Sequence, residues 1–170
     1  MNKITHINQV PPQKGYYIAG FVDGEGSFYL SARKRADYPS GWRFELHFNV
    51  SNQDLAVLEI CKKYLGCGTI RQTRPAFYTL EVESRKTLGA FVIPFFKKFG
   101  FLSNKKKAEF RVFQQAFDLL EQGISTPEQL NKLLRLRQKL NELRQTRITN
   151  TDEIILDSFH FVKESSETIR

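Results

Sequence analysis

The chain has 170 residues, 41% hydrophobic and 13% aromatic, a composition that argues against general disorder and suffices for one domain with a core. Its 26 lysines and arginines exceed its 18 acids, giving a net charge of +8 that favours a polyanionic partner, nucleic acid first. No segment approaches the ~18 consecutive apolar residues of a membrane-spanning helix, and two cysteines with three histidines argue against a zinc site or a disulfide framework.

The first predicted elements are a helix and a hairpin. An apolar helical run stops at the two acids Asp23 and Glu25, and the alternating stretches 27–35 and 43–51 predict two strands with one apolar and one polar face. Between them, ADYPSG supplies Pro39 and Gly41 for the turn.

A second helix and a second hairpin follow. Asp54 is the predicted N-cap of a helix over LAVLEICKKYLG, which ends at Gly66. The stretches GTIRQTR and FYTLEVE then predict two more strands, with Pro75 near their turn.

The rest of the chain predicts helices. A short helix from Ser84 is expected to break near Pro94, and NKKKAEFRVFQQAFDLLEQG predicts a helix that ends at Gly123. Thr126 and Gln129 form a capping box that begins a further helix. No linker divides the chain, so we expect one α+β domain with segregated strands and helices.

The stretch YYIAGFVDGEGSF, residues 16–28, sets Asp23 and Glu25 between glycines. A phosphate-binding glycine loop would precede a helix, whereas this stretch follows one. A calcium loop would require a glycine and a glutamate at positions where this chain has neither. The residues alone leave two interpretations: functional acids, or solvated turn residues after a helix that Gly24 ends.

The segment IAGFVDGEG, residues 18–26, resembles the signature of the LAGLIDADG homing endonucleases. Two small and two apolar residues precede Asp23, and an acid precedes Gly26. The order of elements and the stretch FNVSNQDLAVLEICKKYLGCGTI are also similar to that family, and the similarity covers roughly residues 15–110.

The resemblance implies an αββαββα-type α+β fold whose antiparallel sheet forms a DNA-binding saddle, with C-terminal helices. We expect an N-terminal arm over residues 1–14 and one endonuclease domain over 15–170. The implied activity is cleavage of double-stranded DNA at a long pseudo-palindromic site for intron homing.

By the same resemblance, Glu25 is the catalytic acid and a metal ligand, with the Gly24 carbonyl as a second ligand. Oxygen ligands of this kind suit Mg²⁺, for which Mn²⁺ could substitute. The family usually has aspartate at this position, so glutamate is a departure that adds one methylene. Asp23 is expected to cap a neighbouring turn or helix.

The sequence contains a single copy of the motif. Two antiparallel DNA strands require two active sites, which a symmetric homodimer supplies. The motif helix is the expected dimer contact, through Ile18, Ala19, Gly20, Val22 and Asp23.

The polar strand positions are the expected DNA contacts, because a β-ribbon fits the major groove. Arginine suits guanine edges and asparagine suits adenine edges, and the alternative is a solvated sheet face. The expected contacts are Tyr29, Ser31, Arg33, Arg35, Arg43, Glu45, His47, Asn49, Thr69, Arg71, Thr73, Arg74, Phe77 and Thr79.

The family also implies two supporting catalytic groups. Asn52 and Gln53 compete for the role of a polar residue after the second strand. The run Lys105–Lys107 offers the lysine that positions or activates water, and we choose Lys105. The alternative for this run is a phosphate-contacting basic patch.

Two other functions suit the same charge and fold. One is an RNA-binding maturase that assists splicing of its own intron RNA, and the other is a DNA-binding regulator that does not cleave. The retained acid favours cleavage. The N-terminus lacks a secretory signal, so we expect an intracellular protein of an organelle or of the bacterial cytoplasm.

Overall fold

The computed structural model describes residues 7–146 and 151–161, in which helices pack against the apolar face of an antiparallel sheet. Residues 1–6 of the expected arm and 162–170 of the expected domain lie outside this description. The helices are α1 (Pro12–Glu25), α2 (Leu55–Leu65), α3 (Arg85–Thr87), α4 (Ile93–Phe99), α5 (Asn104–Gln122), α6 (Pro127–Arg144) and α7 (Asp152–Ser158), and the strands are β1 (Gly26–Lys34), β2 (Trp42–Asn52), β3 (Thr69–Arg74) and β4 (Phe77–Val82).

The sheet has the strand order β1-β2-β4-β3, and each neighbouring pair is antiparallel. Both predicted hairpins are present, and the α+β fold is confirmed. Tyr29 lies opposite His47, so the predicted polar faces of β1 and β2 coincide. A register shift between Gln72 and Arg74 interrupts the ladder of β3 with β4.

Helix α1 begins at Pro12. Proline is tolerated there because the first N–H groups of a helix have no acceptor within the helix. This start lies within the expected arm, and the domain boundary at residue 15 stays a prediction. A Cβ on Gly15 would lie 2.2 Å from the Phe99 ring, so glycine permits the close approach of α1 and α4. Tyr16 and Tyr17 lie on the exposed side of α1.

The core is centred on Phe28, which is fully buried in β1. Its ring centroid lies 5.0–6.0 Å from those of five other phenylalanines of β2, α4, α5 and the loop before α5. Burying one such ring contributes about 1.5–3 kcal/mol. This aromatic cluster fixes the start of β1, and therefore the end of α1, against α5.

The expected break near Pro94 does not occur. A π-helical turn over Leu88–Val92 joins α3 to α4, and the Ile93 N–H donates to the Leu88 carbonyl. Pro94 stands in the first turn of α4, where its missing N–H is tolerated. The wider turn therefore accommodates the proline without ending the helical segment.

The C-terminal helices cover the far end of the first hairpin. Trp42 of β2 is buried against α6 and α7, and its Nε1 donates to Ser158 Oγ at 3.0 Å. Arg137 of α6 donates to Asp152 of α7 at 2.9 Å. Within the described ranges, no helix is long and apolar enough to cross a bilayer.

Candidate active site and DNA-binding surface

Asp23 joins the end of α1 to the start of α5. Its carboxylate accepts the backbone N–H groups of Leu102 and Ser103 at 2.9 and 2.8 Å, and it also accepts the Ser103 hydroxyl. Partial burial raises the pKa of Asp23, but the hydrogen bonds from Ser103 and Leu102 outweigh it and lower the pKa below its ordinary value. The predicted capping role is confirmed, with a partner about 80 residues away along the chain.

Glu25 is the last residue of α1 and is exposed. Its carboxylate makes no hydrogen bond or ion pair with residues 7–146 or 151–161, and the preceding Gly24 is also exposed. These two residues therefore present oxygen atoms to solvent where the helix passes into β1.

A buried ion pair supports this junction from beneath. Lys106 Nζ donates to the Gly26 carbonyl and, at 3.0 Å, to Glu109 Oε2. Glu109 Oε1 accepts the Phe28 N–H at 2.7 Å. Because both side chains are almost fully buried, the middle lysine of the predicted run serves to hold the first residues of β1 in place.

A groove of about 230 Å³ lies beside the junction, lined by Asp23, Gly24, Gly26, Ser27, Ser103, Lys105, Lys106, Glu109 and Arg144. Lys105 is exposed in this groove, whereas Lys106 is buried below it. Arg144 Nε donates to Ser27 Oγ at 2.7 Å, and its guanidinium lies 4.7 Å from the Tyr29 ring centroid. Burial lowers the pKa of Arg144.

Arg144 and Glu109 were missed in the sequence. Glu109 follows Lys106 at the i,i+3 spacing of a helical ion pair, a signal that could have been read. Arg144 lies 117 residues from Ser27 in the sequence, and no local spacing pattern indicates that the two side chains meet.

Asn52 and Gln53 lie at the same end of the first hairpin as Glu25. Gly26 pairs with Val50, so the residues after Val50 run alongside the end of α1. The Asn52 side-chain oxygen already accepts the Asp54 N–H at 2.8 Å, while Gln53 is exposed. The choice between the two residues stays open.

The polar face of the sheet carries the predicted DNA contacts. The register pairs Ser31 with Glu45 and Arg71 with Thr79, and the alternate residues Leu30, Ala32 and Leu46 of the first hairpin are buried in the core. Residues of this face on regular strand pairs are Tyr29, Ser31, Arg33, Arg43, Glu45, His47, Asn49, Thr69, Arg71, Phe77 and Thr79.

Three of these residues have partners within the chain, and their DNA contacts stay predictions. His47 is only 2% exposed, and its ring stacks on Tyr29 at 4.4 Å between the ring centroids. Glu45 lies 2.8 Å from Arg43 and 3.9 Å from Arg33, so its carboxylate is engaged by arginines. Arg35 lies beyond the end of β1 and pairs with Asp37 in the turn.

The second hairpin carries two exposed arginines, one within β3 and one at its end. Arg71 and Arg74 are exposed, and the Arg74 guanidinium lies 4.1 Å from the Phe77 ring centroid. Thr73 lies at the register shift and donates to the Phe77 carbonyl at 3.4 Å. Arg71 is therefore the best-presented arginine of this hairpin.

Of the residues expected to form the dimer contact, only those on the outer side of α1 are accessible to a second chain. Ile18 and Val22 have no exposed surface and Ala19 only 3%, so their side chains belong to the core of their own chain. Gly20 and Gly24 face outward, and a Cβ on either would meet nothing within 4 Å.

A family model described as LAGLIDADG endonuclease matches residues 18–117. A probable intron-encoded endonuclease of Neurospora crassa is 30% identical over 74% of this chain, which spans 28% of that relative's length. DNA endonuclease I-CeuI of Chlamydomonas moewusii is 28% identical over 79% of this chain and 66% of its own length. The solved structure of an archaeal intron-encoded homing endonuclease complexed with DNA has a TM-score of 0.75 at 25% identity, over 85% of this chain and 92% of its own.

Proposed function

Because the chain belongs to the LAGLIDADG endonuclease family, we propose that it is a site-specific double-strand DNA endonuclease of intron homing. It would cleave a long pseudo-palindromic target as a homodimer. The observation that carries this proposal is the exposed carboxylate of Glu25, which pairs with no residue of 7–146 or 151–161 and lies beside a groove with Lys105 and Arg144, next to the polar face of the sheet. A backbone phosphate of DNA on that face would meet both the acid and the cations.

The Glu25 carboxylate and the Gly24 carbonyl would hold Mg²⁺, or Mn²⁺ in its place. They fit such an ion because both residues are exposed and carry oxygen donors, and Mg²⁺ takes one or two protein oxygens together with water and phosphate. When bound, the ion lowers the pKa of an attacking water and stabilises charge on the entering and leaving oxygens.

The other residues of the site would position the reactants. Lys105 would orient the attacking water or contact the phosphate, since its ammonium group is exposed in the groove. Asn52 or Gln53 would hold the water from the neighbouring end of β2. The buried Lys106 and Glu109 would keep the Gly26 backbone in place beneath them.

The homodimer would form through an outer surface of α1 made by Tyr16, Tyr17, Gly20 and Gly24. The two tyrosines are 61% and 53% exposed, and the glycines need no space for side chains within their own chain. Glycines four residues apart allow a second helix to approach backbone to backbone. Two-fold pairing here would bring two Glu25 residues toward one DNA duplex.

A cleavage assay with Glu25→Gln tests the activity. The substrate is a plasmid carrying the intronless allele of the host gene, incubated with Mg²⁺. We expect the unaltered protein to cut it once and the variant to leave it intact. DNA affinity should change by less than about tenfold, because phosphate and base contacts elsewhere dominate binding.

The matched control is Glu59→Gln, which removes the same charge from an exposed position on α2. It should cut like the unaltered protein. Cleavage by Glu25→Gln at the full rate would remove Glu25 from the mechanism. Binding of the intron RNA, or of DNA without any cutting, would favour the maturase or the regulator instead.

A further inference from the structure

Three potential metal ligands meet on the polar face of the sheet, apart from Glu25. One nitrogen of His47 and one carboxylate oxygen each of Glu81 and Glu83 lie within 4.8 Å of one another. The register pairs Asn49 with Glu81 and Phe48 with Val82, which brings these side chains of β2 and of the end of β4 to one face. His47 is more than 30 residues from the two glutamates in the sequence, and no sequence pattern predicted a metal site at these residues.

The His47 ring is held in an orientation that leaves one nitrogen available. It is 2% exposed, and Nε2 lies 3.0 Å from Ser31 Oγ. The Ser31 hydroxyl donates to the Glu45 carbonyl at 3.5 Å, so its lone pairs can accept the Nε2 proton. A histidine that binds a metal commonly donates its other ring N–H in this way.

The remaining nitrogen, Nδ1, points into the acidic pair. It is buried, makes no hydrogen bond with any described residue, and lies 3.3 Å from Glu83 Oε1. With Nε2 protonated, a lone pair of Nδ1 faces a carboxylate oxygen. A cation between the two atoms would replace this repulsion by shared coordination.

The two carboxylates also repel each other. One carboxylate oxygen of Glu81 and one of Glu83 lie within 4.8 Å of each other, so two negative charges share a small part of this face. A bound divalent cation would balance both acids on a surface that is proposed to face DNA phosphates.

We propose that His47, Glu81 and Glu83 bind a divalent cation of the zinc class. One imidazole nitrogen with two carboxylate oxygens is a ligand set that Zn²⁺ accepts, at about 2.0–2.2 Å, with water in a fourth position. Ligands at those lengths around a tetrahedral ion are about 3.3–3.6 Å apart, a range that includes the 3.3 Å between His47 Nδ1 and Glu83 Oε1. The Glu83 side chain is 48% exposed, so it has the freedom to close on the ion.

The test uses the full chain carrying Glu25→Gln, so that the proposed catalytic centre loses its carboxylate ligand and the result does not depend on cleavage. The metal-free protein is titrated with Zn²⁺ by calorimetry and with Co²⁺ by visible absorption. We expect one ion per chain and the intense Co²⁺ band of a tetrahedral site with nitrogen and oxygen ligands.

Adding Glu83→Gln should weaken Zn²⁺ binding by at least about tenfold, the lower range seen when metal sites lose a supporting group. The matched control is Glu59→Gln, which removes the same charge from an exposed position on α2, away from the three ligands, and should leave the affinity within twofold. Circular dichroism checks that each variant is folded. Absence of binding, binding that survives Glu83→Gln, or equal loss in Glu59→Gln would each overturn the proposal.

Discussion

At the residue scale, the charged groups around Gly26 divide into those engaged within the chain and those left exposed. The side chains of Asp23, Lys106 and Glu109 form hydrogen bonds with backbone groups or with one another. Glu25 and Lys105 are exposed beside them. These hydrogen bonds fix the backbone around Gly26 and Ser103. The exposed carboxylate of Glu25 and ammonium group of Lys105 are therefore held in defined positions.

Replacing Asp23 by asparagine should destabilise the protein at neutral pH by about 1 kcal/mol, because charge-assisted hydrogen bonds to α5 are weakened. The folded-state pKa of Asp23 is depressed, so its contribution is present above its ordinary value of 3.8 and is lost as the pH falls through the folded pKa. Thermal melts of both proteins should therefore converge in acid. Asp118→Asn, exposed on α5, is the control, and a gap that is independent of pH would contradict this account.

Arg33 and Arg71 are the arginines we expect to read bases. Both are exposed on the polar face, and the ion pair of Arg33 with Glu45 is long, at 3.9 Å. Alanine at either position should cost about 1–3 kcal/mol at particular base pairs and relax selectivity there. A cleavage screen over single-base target variants measures this, with Arg111→Ala on α5 as control.

In a two-fold dimer, each of these arginine changes should alter preference at two symmetric target positions, one in each half-site. Equal loss of activity on every target would instead identify Arg33 and Arg71 as phosphate contacts.

At the scale of elements, α1 has two faces with different tasks. Ile18 and Val22 pack into the core, and Gly15 permits contact with α4. Gly20 and Gly24 have no such task within the chain, since a Cβ on either would enter open space. Glycine in a helix interior costs roughly 0.5–1 kcal/mol relative to alanine, and the proposed dimer contact would account for glycine at these two positions.

Gly20→Leu should separate the two α1 helices and yield monomers in light scattering. The fold should survive, because the new side chain meets no atom of its own chain and leucine favours a helix more than glycine does. Lys139→Leu, exposed on α6, adds the same side chain elsewhere and should leave the molar mass unchanged. A dimer of unchanged mass in Gly20→Leu would place the contact on another surface.

At the scale of the whole molecule, the net charge of +8 should make DNA binding strongly dependent on salt. Lys105 and Lys107 are exposed, whereas Lys106 is buried, so the first two can contact phosphate. Replacing both by alanine should weaken binding to every sequence and reduce the salt slope by about 0.9 for each lost contact.

Fluorescence anisotropy between about 50 and 200 mM salt measures that slope. The control is the double replacement of Lys62 and Lys63, which removes the same charge from exposed positions on α2. Identical slopes for the two double variants would show that net charge alone, and not the lysines of α5, sets the salt dependence.

The sequence by itself determined the features that depend on neighbours within a few residues. The alternation of β1 and β2 appears in the register, because strand side chains alternate between faces. Asp54 caps α2, and Thr126 with Gln129 forms the predicted capping box. Gly66 ends α2 with φ of 75°, which glycine adopts without steric cost.

Only the tertiary structure decided which charged groups remain available to a ligand. Lys105 and Lys106 are adjacent in the sequence, yet one is exposed in the groove and the other is buried against Glu109. His47 has the alternation of a DNA contact but is covered by Tyr29 and lies beside an acidic pair. Such outcomes depend on contacts between elements distant in the chain, whose packing no local pattern of residues specifies.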